Sequence, residues 1–440
     1  MRDIAFVAGI LAMLPFAFGR PHIGALLSCW TAMLVPNTYV YGFATSIRFN
    51  LIVVLATLVI WVLSKEPMRI PMNRTHVLLI IFGIFGTIST AFAISTEGVA
   101  WGHWGNFSKI IFFALLVGAL FNNRTRIEAL LYALLLSVGF HGVEEGLKFI
   151  LSGGEHHIFG PESSIITDNN HFALAIICLL PLVFFLYRQA QHPVLRLAIL
   201  GSAGVLFFTV VGTFSRGGLI GLLAIAIWAF IHSTRKGRYL AFAIPVAIML
   251  VSFAPDRWTN RMDTISTANQ DESFMGRVIA WKQSTLIAFD NPILGGGFHA
   301  VQDFTVWTHY RLTRFHELDF IRTDEPDPLA PHAAHSIYFQ VLGDMGFVGL
   351  ALFGMLGFTA WRNTVIVARK AKGRSDLEWA SQLAQYAQYS LIAYFVSGAA
   401  LSMAYFEFMY ILFVIIASLR QIVERETQEA KPAPALGARR

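Results

Sequence analysis

The feature that most constrains this chain is a recurring pattern of apolar stretches of about 16 to 25 residues, each near the length needed to cross a hydrocarbon core of roughly 30 Å. Bounded by charges or by Pro/Gly clusters, they lie at 4 to 19, 22 to 41, 47 to 63, 76 to 94, 105 to 121, 127 to 151, 171 to 187, 195 to 214, 217 to 232, 238 to 253, 336 to 361, 383 to 400 and 403 to 420. The pattern predicts an all-α polytopic membrane protein of about 12 transmembrane helices. The first stretch sets the count at 12 or 13, because Pro15 and the Gly19-Arg20-Pro21-His22 break fit a short or re-entrant element as well as a crossing. No run of small residues resembling a cleavage site follows it, so no removable signal peptide is expected. Composition agrees: 55% of the 440 residues are hydrophobic, 14% are charged, and the mean hydropathy is +0.58. That balance excludes a water-soluble domain, a disordered chain, a disulfide scaffold and a single-anchor enzyme. The two cysteines, Cys29 and Cys178, both fall inside apolar stretches and offer no bridge.

Orientation follows from where the cations sit. Lysine and arginine cluster in alternate connections: Lys65, Arg69 and Arg74; Arg124 and Arg126; Arg188 and Arg196; Arg235, Lys236 and Arg238; and Arg362 to Arg374. The positive-inside rule puts these, Arg20 and the tail from Arg420 in the cytoplasm. That side then carries +14 and the outer side −8. The net charge of +6 thus records orientation, and no nucleic-acid partner is expected. Alternation leaves 42 to 46, 95 to 104, 152 to 170 and 254 to 335 outside. The last is too long for a connection and must be a folded lid. Within it, 276 to 290 has apolar residues at helical spacing, stopped by Asn291-Pro292 and Gly295-Gly296-Gly297. The domains are then 1 to 253, N-terminal transmembrane helices; 254 to 335, an outer helical lid; 336 to 420, C-terminal transmembrane helices; and 421 to 440, a disordered cytoplasmic tail.

Three constellations could carry chemistry. Thr213-Phe214-Ser215-Arg216-Gly217-Gly218 stands where one crossing emerges outside and the next begins. An arginine at a membrane edge is costly and suggests an anionic partner. Its fork grips phosphate bidentately, and Ser215 with the amides of Gly217 and Gly218 would add donors at a helix N-terminus. The plainer reading is a snorkelling arginine paired with a carboxylate. Pro331-His332-Ala333-Ala334-His335-Ser336-Ile337-Tyr338 closes the outer segment. Pro331 suits a first helical turn, which would set His332, His335 and Tyr338 one turn apart, and histidine suits proton transfer. Capping is the structural alternative, and a zinc pair a third reading that lacks further ligands. Asp168-Asn169-Asn170-His171 opens another crossing and fits either capping or polar-headgroup binding. Arg277 and Lys282, on the helix of the outer segment, are candidate phosphate or sugar contacts, against a solvated-surface alternative. Intramembrane His141, Glu144, Glu145 and Glu407 hint at ion or proton movement, although Lys148 can pair one of the adjacent acids.

TFSRGG at a helix junction, GRVIAW followed by DNPILGGGF, and AHSIYFQVLGDMGFVGL opening the next helix together resemble the O-antigen ligase and polymerase superfamily. The likeness covers roughly 165 to 360 by motif and the whole chain by topology. The opening MRDIAF, the length and DNNHFAL resemble the exosortase-associated O-glycosylation ligase subgroup. Many relatives have Asn after the histidine, where this chain has Ser336. The resemblance implies a fold similar to C-type membrane glycosyltransferases with a large periplasmic loop. It also implies glycan transfer from an undecaprenyl-pyrophosphate donor at the periplasmic face of a bacterial, Gram-negative inner membrane. The matching histidine, His335, would act on the acceptor hydroxyl, and the matching arginine, Arg216, would bind pyrophosphate.

Residues and resemblance agree on a mechanism. His335 and Arg216 are the expected catalytic pair, and Arg277, Ser215, Gly217, Tyr338, His332, Asp168, Asn169 and Lys282 the expected substrate contacts. A pyrophosphate leaving group is helped by cations more than by an acid. No cofactor or metal ion is expected, and a single displacement would invert the anomeric carbon. The expected partners are the lipid-linked glycan donor, a lipid A-core acceptor, which suits a large lid, and membrane lipids. A repeat-unit polymerase and a protein O-oligosaccharyltransferase use the same donor, while a transporter or flippase is the non-enzyme alternative.

Overall fold

The computed structural model describes residues 2–237, 241, 272–321, 323, 327 and 329–429. Helices fill it, and no strand occurs among the described residues. In chain order they are α1 (Arg2–Met13), α2 (Pro21–Leu34), α3 (Phe49–Leu63), α4 (Arg74–Ala91), α5 (Glu97–Leu120), α6 (Arg124–Leu134), α7 (Phe140–Leu151), α8 (Asn169–Gln189), α9 (Pro193–Gly212) and α10 (Arg216–His232). After the undescribed stretch come α11 (Glu272–Asp290), α12 (Phe304–Thr313), α13 (Ile337–Ala371), α14 (Glu378–Ser397) and α15 (Glu407–Glu429).

Local chemistry explains the starts. Asn73, Asn123, Asp168, Ser215 and Asp303 each accept an amide of the first turn of the following helix, and Pro21 and Pro193 open α2 and α9 where a missing N–H costs nothing. Between α6 and α7 a π-turn, Leu135–Gly139, keeps one continuous span running. The carbonyl of Leu136 in this turn accepts from the Trp30 indole at 3.0 Å, as a widened turn requires.

Among the described residues six spans are long and apolar enough to cross a membrane: Arg74–Ala91, Glu97–Leu120, Arg124–Leu151, Asn169–Gln189, Pro193–Gly212 and Ile337–Ala371. Phe49–Leu63 and Arg216–His232 are apolar but shorter. The expectation of about 12 crossings is therefore met only in part. The helices α1, α2, α14 and α15 stand where four more were expected, but α14 carries Gln382, Gln385 and Gln388, and α15 ends in the polar run from Arg420. The expected crossing at 238 to 253 lies outside the described residues, as do 254 to 271 of the outer segment and 430 to 440 of the tail.

The core lies where α8, α14 and α15 meet α5 and α13. In α15 every residue from Phe408 to Leu419 is buried, and α8 is buried on nearly all faces from Phe172 to Val183. Leu55, Val59 and Val62 of α3, Leu195 and Leu197 of α9, and Ile220, Leu223 and Ile227 of α10 are exposed large apolar side chains, the surface a bilayer would cover.

Polar contacts sort the connections into two ends. At one, Arg126 bonds both carboxylate oxygens of Glu66, Arg124 reaches Gln189 at 3.0 Å, and Lys370 and Arg420 share Glu424. Three of the connections expected to be cytoplasmic, around Glu66, Arg126 and Gln189, are thus in contact, and the region of Lys370 and Glu424 forms its own pairs. At the other, Asp3 accepts the amides of Tyr41, Gly42 and Ala44, so the start of α1 shares an end with the 42 to 46 connection.

The outer segment, in its described part, is a small unit with its own core of Ile279, Leu286, Ile287, Val306, Trp307 and Phe315. Its glycine turn locks it to α13. The amides of Gly296 and Gly297 donate to the carbonyls of Gly343 and Asp344 at 2.8 and 2.9 Å, where α13 is interrupted by Gly346 at φ 65°. A Cβ on Gly295, itself at φ 69°, would stand 2.4 Å from the Gly346 nitrogen. Only glycines permit both the left-handed backbone and this approach. Asp303 adds a second tie by accepting the Thr96 amide at 2.8 Å.

Candidate functional site

The three constellations converge at the end opposite the paired cations. The helix α9 stops at Gly212 and α10 starts at Arg216, a reversal made possible by Phe214 at φ 51°. Asn169 at the start of α8 donates through Nδ2 to the Thr213 carbonyl at 2.7 Å, joining the Asp168 to His171 segment to the Arg216 turn. Ser397, at the end of α14, donates to the Gly217 carbonyl at 2.9 Å. The adjacent Gly398 lies against Ile337, two residues from His335. The His335 amide donates to Ser402 Oγ at 2.8 Å.

The histidine segment differs from the expected helix. Residues 331 to 335 are extended or irregular, α13 begins only at Ile337, and His335 has φ 42°. His332, His335 and Tyr338 therefore do not stand on one helical face. The reason is competition: the Ala334 carbonyl accepts from the Trp281 indole at 2.6 Å, and the His335 amide is taken by Ser402, so two groups a helix would use are bonded elsewhere. A non-glycine residue in the left-handed region costs on the order of 1 kcal/mol and is held only where its surroundings demand it. His332 lies against Gly276, whose missing Cβ would stand 3.4 Å from the ring, and meets the Trp307 indole edge-to-face at 5.6 Å.

Electrostatics link the pieces. Burial, followed by the Arg277 guanidinium and the His171 ring, pushes the His335 imidazole down to about 4; Asp168 opposes the shift and His332 adds to it. His335 is therefore neutral near pH 7, with a nitrogen able to accept a proton. Arg216, Arg277, His332 and His335 are all half-buried.

Other expected contacts have structural work. Ser215 is fully buried and its Oγ accepts the Gly218 amide at 3.1 Å, so that amide is committed to the cap and does not face an anion. Asp168 Oδ1 accepts the amides of Asn170 and His171 at 2.9 and 3.3 Å. The Tyr338 hydroxyl donates to the Phe395 carbonyl at 2.9 Å. Lys282 does not join the cluster. Its amine is buried in the outer unit on Asp319, the Ile321 carbonyl and Thr323, each at 3.3 Å, and lies over the Phe315 ring. Five residues from Arg277 on a helix, it points about 140° away around the axis. Glu144 and Glu145 both pair with Lys148, where one pairing was expected. Among the described residues no group of three or more His, Cys, Asp or Glu side chains is placed to hold a metal ion.

Sequence reasoning missed Ser402, Ser397 and Trp281. Only Trp281 had a signal, as the last residue of GRVIAW, since the two serines are ordinary helix-end residues until the chain folds back.

The segment that carries Arg216, Arg277 and His335 is also the one that matches a characterised family. Residues 201–354 match the family described as O-Antigen ligase. That match, over about a third of the chain, supports an O-antigen ligase superfamily member. Residues 1–191 match a family of unknown function (DUF5935), so the cluster is assembled from both matched regions, with Asp168, Asn169 and His171 supplied by the first. No curated protein matches the chain. The O-antigen ligase match and the apolar helices support a membrane enzyme of ligase or polymerase type that transfers glycan.

Proposed function

We propose that this protein is an O-antigen ligase of the exosortase-associated subgroup, transferring a glycan from undecaprenyl pyrophosphate to lipid A-core at the periplasmic face of a Gram-negative inner membrane. The observation that carries the reading is a neutral, strained histidine, His335, set beside Arg277 and joined through Ser397 and Gly398 to the Arg216 turn. In the proposed step the acceptor hydroxyl oxygen attacks the anomeric carbon as its proton passes to the His335 imidazole. The bond from that carbon to the phosphate oxygen breaks, and its electron pair leaves on pyrophosphate, with inversion. Arg216 and Arg277 stabilise the charge that develops there. The donor also prepares the base: its negative charge offsets the Arg277 cation that helps hold His335 down, so His335 becomes a stronger proton acceptor once donor is bound. The outer helical unit packed against His332 and Ala334 suits a bulky, membrane-bound acceptor. No divalent ion is assigned a role.

The test is product analysis with the purified full chain in nanodiscs, supplied with undecaprenyl-pyrophosphate glycan and, separately, lipid A-core, a second lipid-linked glycan or a Ser/Thr peptide. Glycosylated lipid A-core with an inverted linkage, unchanged by EDTA, is expected. Product only on the second glycan or the peptide would reassign the enzyme to polymerase or protein transferase. Gradient-dependent movement of donor without any new bond would make it a flippase.

A further inference from the structure

The cluster holds a second imidazole with a restricted chemistry. His171 lies in the first turn of α8, fixed at its amide by Asp168 Oδ1. Its Nδ1 stands 3.2 Å from the Ile165 carbonyl oxygen. A carbonyl can only accept, so Nδ1 carries the hydrogen, and in the neutral ring Nε2 is left as a bare lone pair. Nε2 is buried and has no hydrogen-bond partner. A second orphan lies in the residue after His335: Ser336, 1% exposed, caps nothing through its side chain, and its Oγ is also buried without a partner. A buried polar atom left unmatched is costly, and these two, one on the ring that acts electrostatically on His335 and one on the residue after it, are open to a ligand.

We propose that His171 is a further catalytic residue, an obligate acceptor at Nε2 that takes a hydrogen bond from a sugar hydroxyl of the bound glycolipid and aligns it beside His335. The Ser336 hydroxyl, which can both donate and accept, meets the same sugar. This rests on the glycan-transfer reading above. It accounts for the Ile165 contact, which selects the tautomer that accepts at Nε2, and it gives the 1 to 191 region a direct part in the chemistry.

Two substitutions separate acceptor from anchor. Asparagine places an amide near Nδ1 and can keep the bond to Ile165 but has nothing at the Nε2 position. Glutamine places its Oε1 near Nε2 and gives up the Nδ1 anchor. In the full chain in nanodiscs, with thermal unfolding as the folding control, His171→Gln should stay within about fivefold of wild-type kcat. His171→Asn should lose about 10 to 100-fold, mostly in kcat, the loss of one hydrogen bond that strengthens in the transition state. The opposite order, or two variants as active as wild type, overturns the proposal and reduces His171 to a loop anchor or to nothing. If both variants lose activity, 15N NMR of imidazole-labelled protein decides. An Nε2 resonance that moves on addition of the glycolipid acceptor upholds the contact, and one that stays put refutes it. Absence of transfer by the wild-type chain with every acceptor is a different outcome, and it would refute the functional reading itself.

Discussion

The two ends of the helical bundle differ in backbone strain: the five non-glycine residues with left-handed backbone among those described, Val35, Ser163, Phe214, His299 and His335, all lie at the end away from the clustered cations. At the basic end charges are many, half-exposed and matched: Arg126 with Glu66, Arg124 with Glu128, Lys370 and Arg420 with Glu424, Arg374 with Asp376. Ion pairs form at the other end too, Lys148 with Glu144 and Glu145 and Lys282 with Asp319, and buried atoms without partners occur at both ends, His22 Nδ1 and His76 Nε2 at the basic one and His171 Nε2 and Ser336 Oγ at the other. Among the described residues, only at the second end is a histidine, His335, held left-handed and stripped of its proton. Matched surface charges set orientation and add little stability. Left-handed backbone at a non-glycine residue costs stability and is kept where something else gains from it. Under the proposed function, a count of cations points away from the end that carries the chemistry.

The contrast is most exposed to refutation at His335. His335→Ala should lower transfer by about 100 to 10,000-fold, the usual contribution of a positioned base, with folding and donor binding retained. A variant that keeps more than a tenth of wild-type turnover would remove His335 from the mechanism and leave the strained end unexplained. Next in size is Arg216. If its guanidinium grips pyrophosphate through two parallel bonds, Arg216→Lys keeps the charge but loses the fork, and about a 10 to 100-fold fall in kcat/KM is expected, with Arg216→Ala lower still. Steady-state kinetics for Arg216→Lys that match wild type would make the residue a point charge like those at the basic end.

A smaller effect sharpens the electrostatics. Burial and then Arg277 hold His335 down to about 4, so the acid limb of kcat/KM for the wild type should lie well below the ordinary histidine value near 6.5. Removing a neighbouring cation makes protonation easier, so Arg277→Gln should move that limb to higher pH. A profile of kcat/KM against pH that does not move upward would dissociate the two residues. Least of all should come from the basic end. Lys370→Gln, which removes an exposed pair with Glu424, should change unfolding free energy by no more than about 0.5 kcal/mol and leave turnover untouched. A loss of activity there would erase the distinction between the ends.

Much of the frame was legible in the linear chain because it rests on local chemistry. Apolar length placed α4, α5, α8, α9 and α13, since a segment that must satisfy its own backbone in lipid becomes a helix wherever it is long enough. Asparagine, aspartate, serine and proline marked the helix starts, and the glycines at 295 to 297 marked a turn. The pattern of Lys and Arg sorted the connections into two groups, and contacts join three of the basic ones, around Glu66, Arg126 and Gln189. The motifs around Arg216, Arg277 and His335 also named the region in which polar groups converge.

What the sequence could not decide is what each polar atom is already doing. Arg277 and Lys282 look alike on one helix, yet Lys282 is sealed inside the outer unit by Asp319, Ile321, Thr323 and Phe315, and only Arg277 reaches His335. Pro331 promised a helix that Trp281 and Ser402 prevent by taking the Ala334 carbonyl and the His335 amide. Ser215 reads as an anion donor until its oxygen is found on the Gly218 amide. Helix length, capping and charge distribution are properties of a few neighbouring residues, so the sequence by itself determines them. Which hydrogen bonds are spent and which lone pairs stay bare depends on partners far apart in the chain, and these meet only when α8, α10, α11 and the end of α14 pack around residue 335.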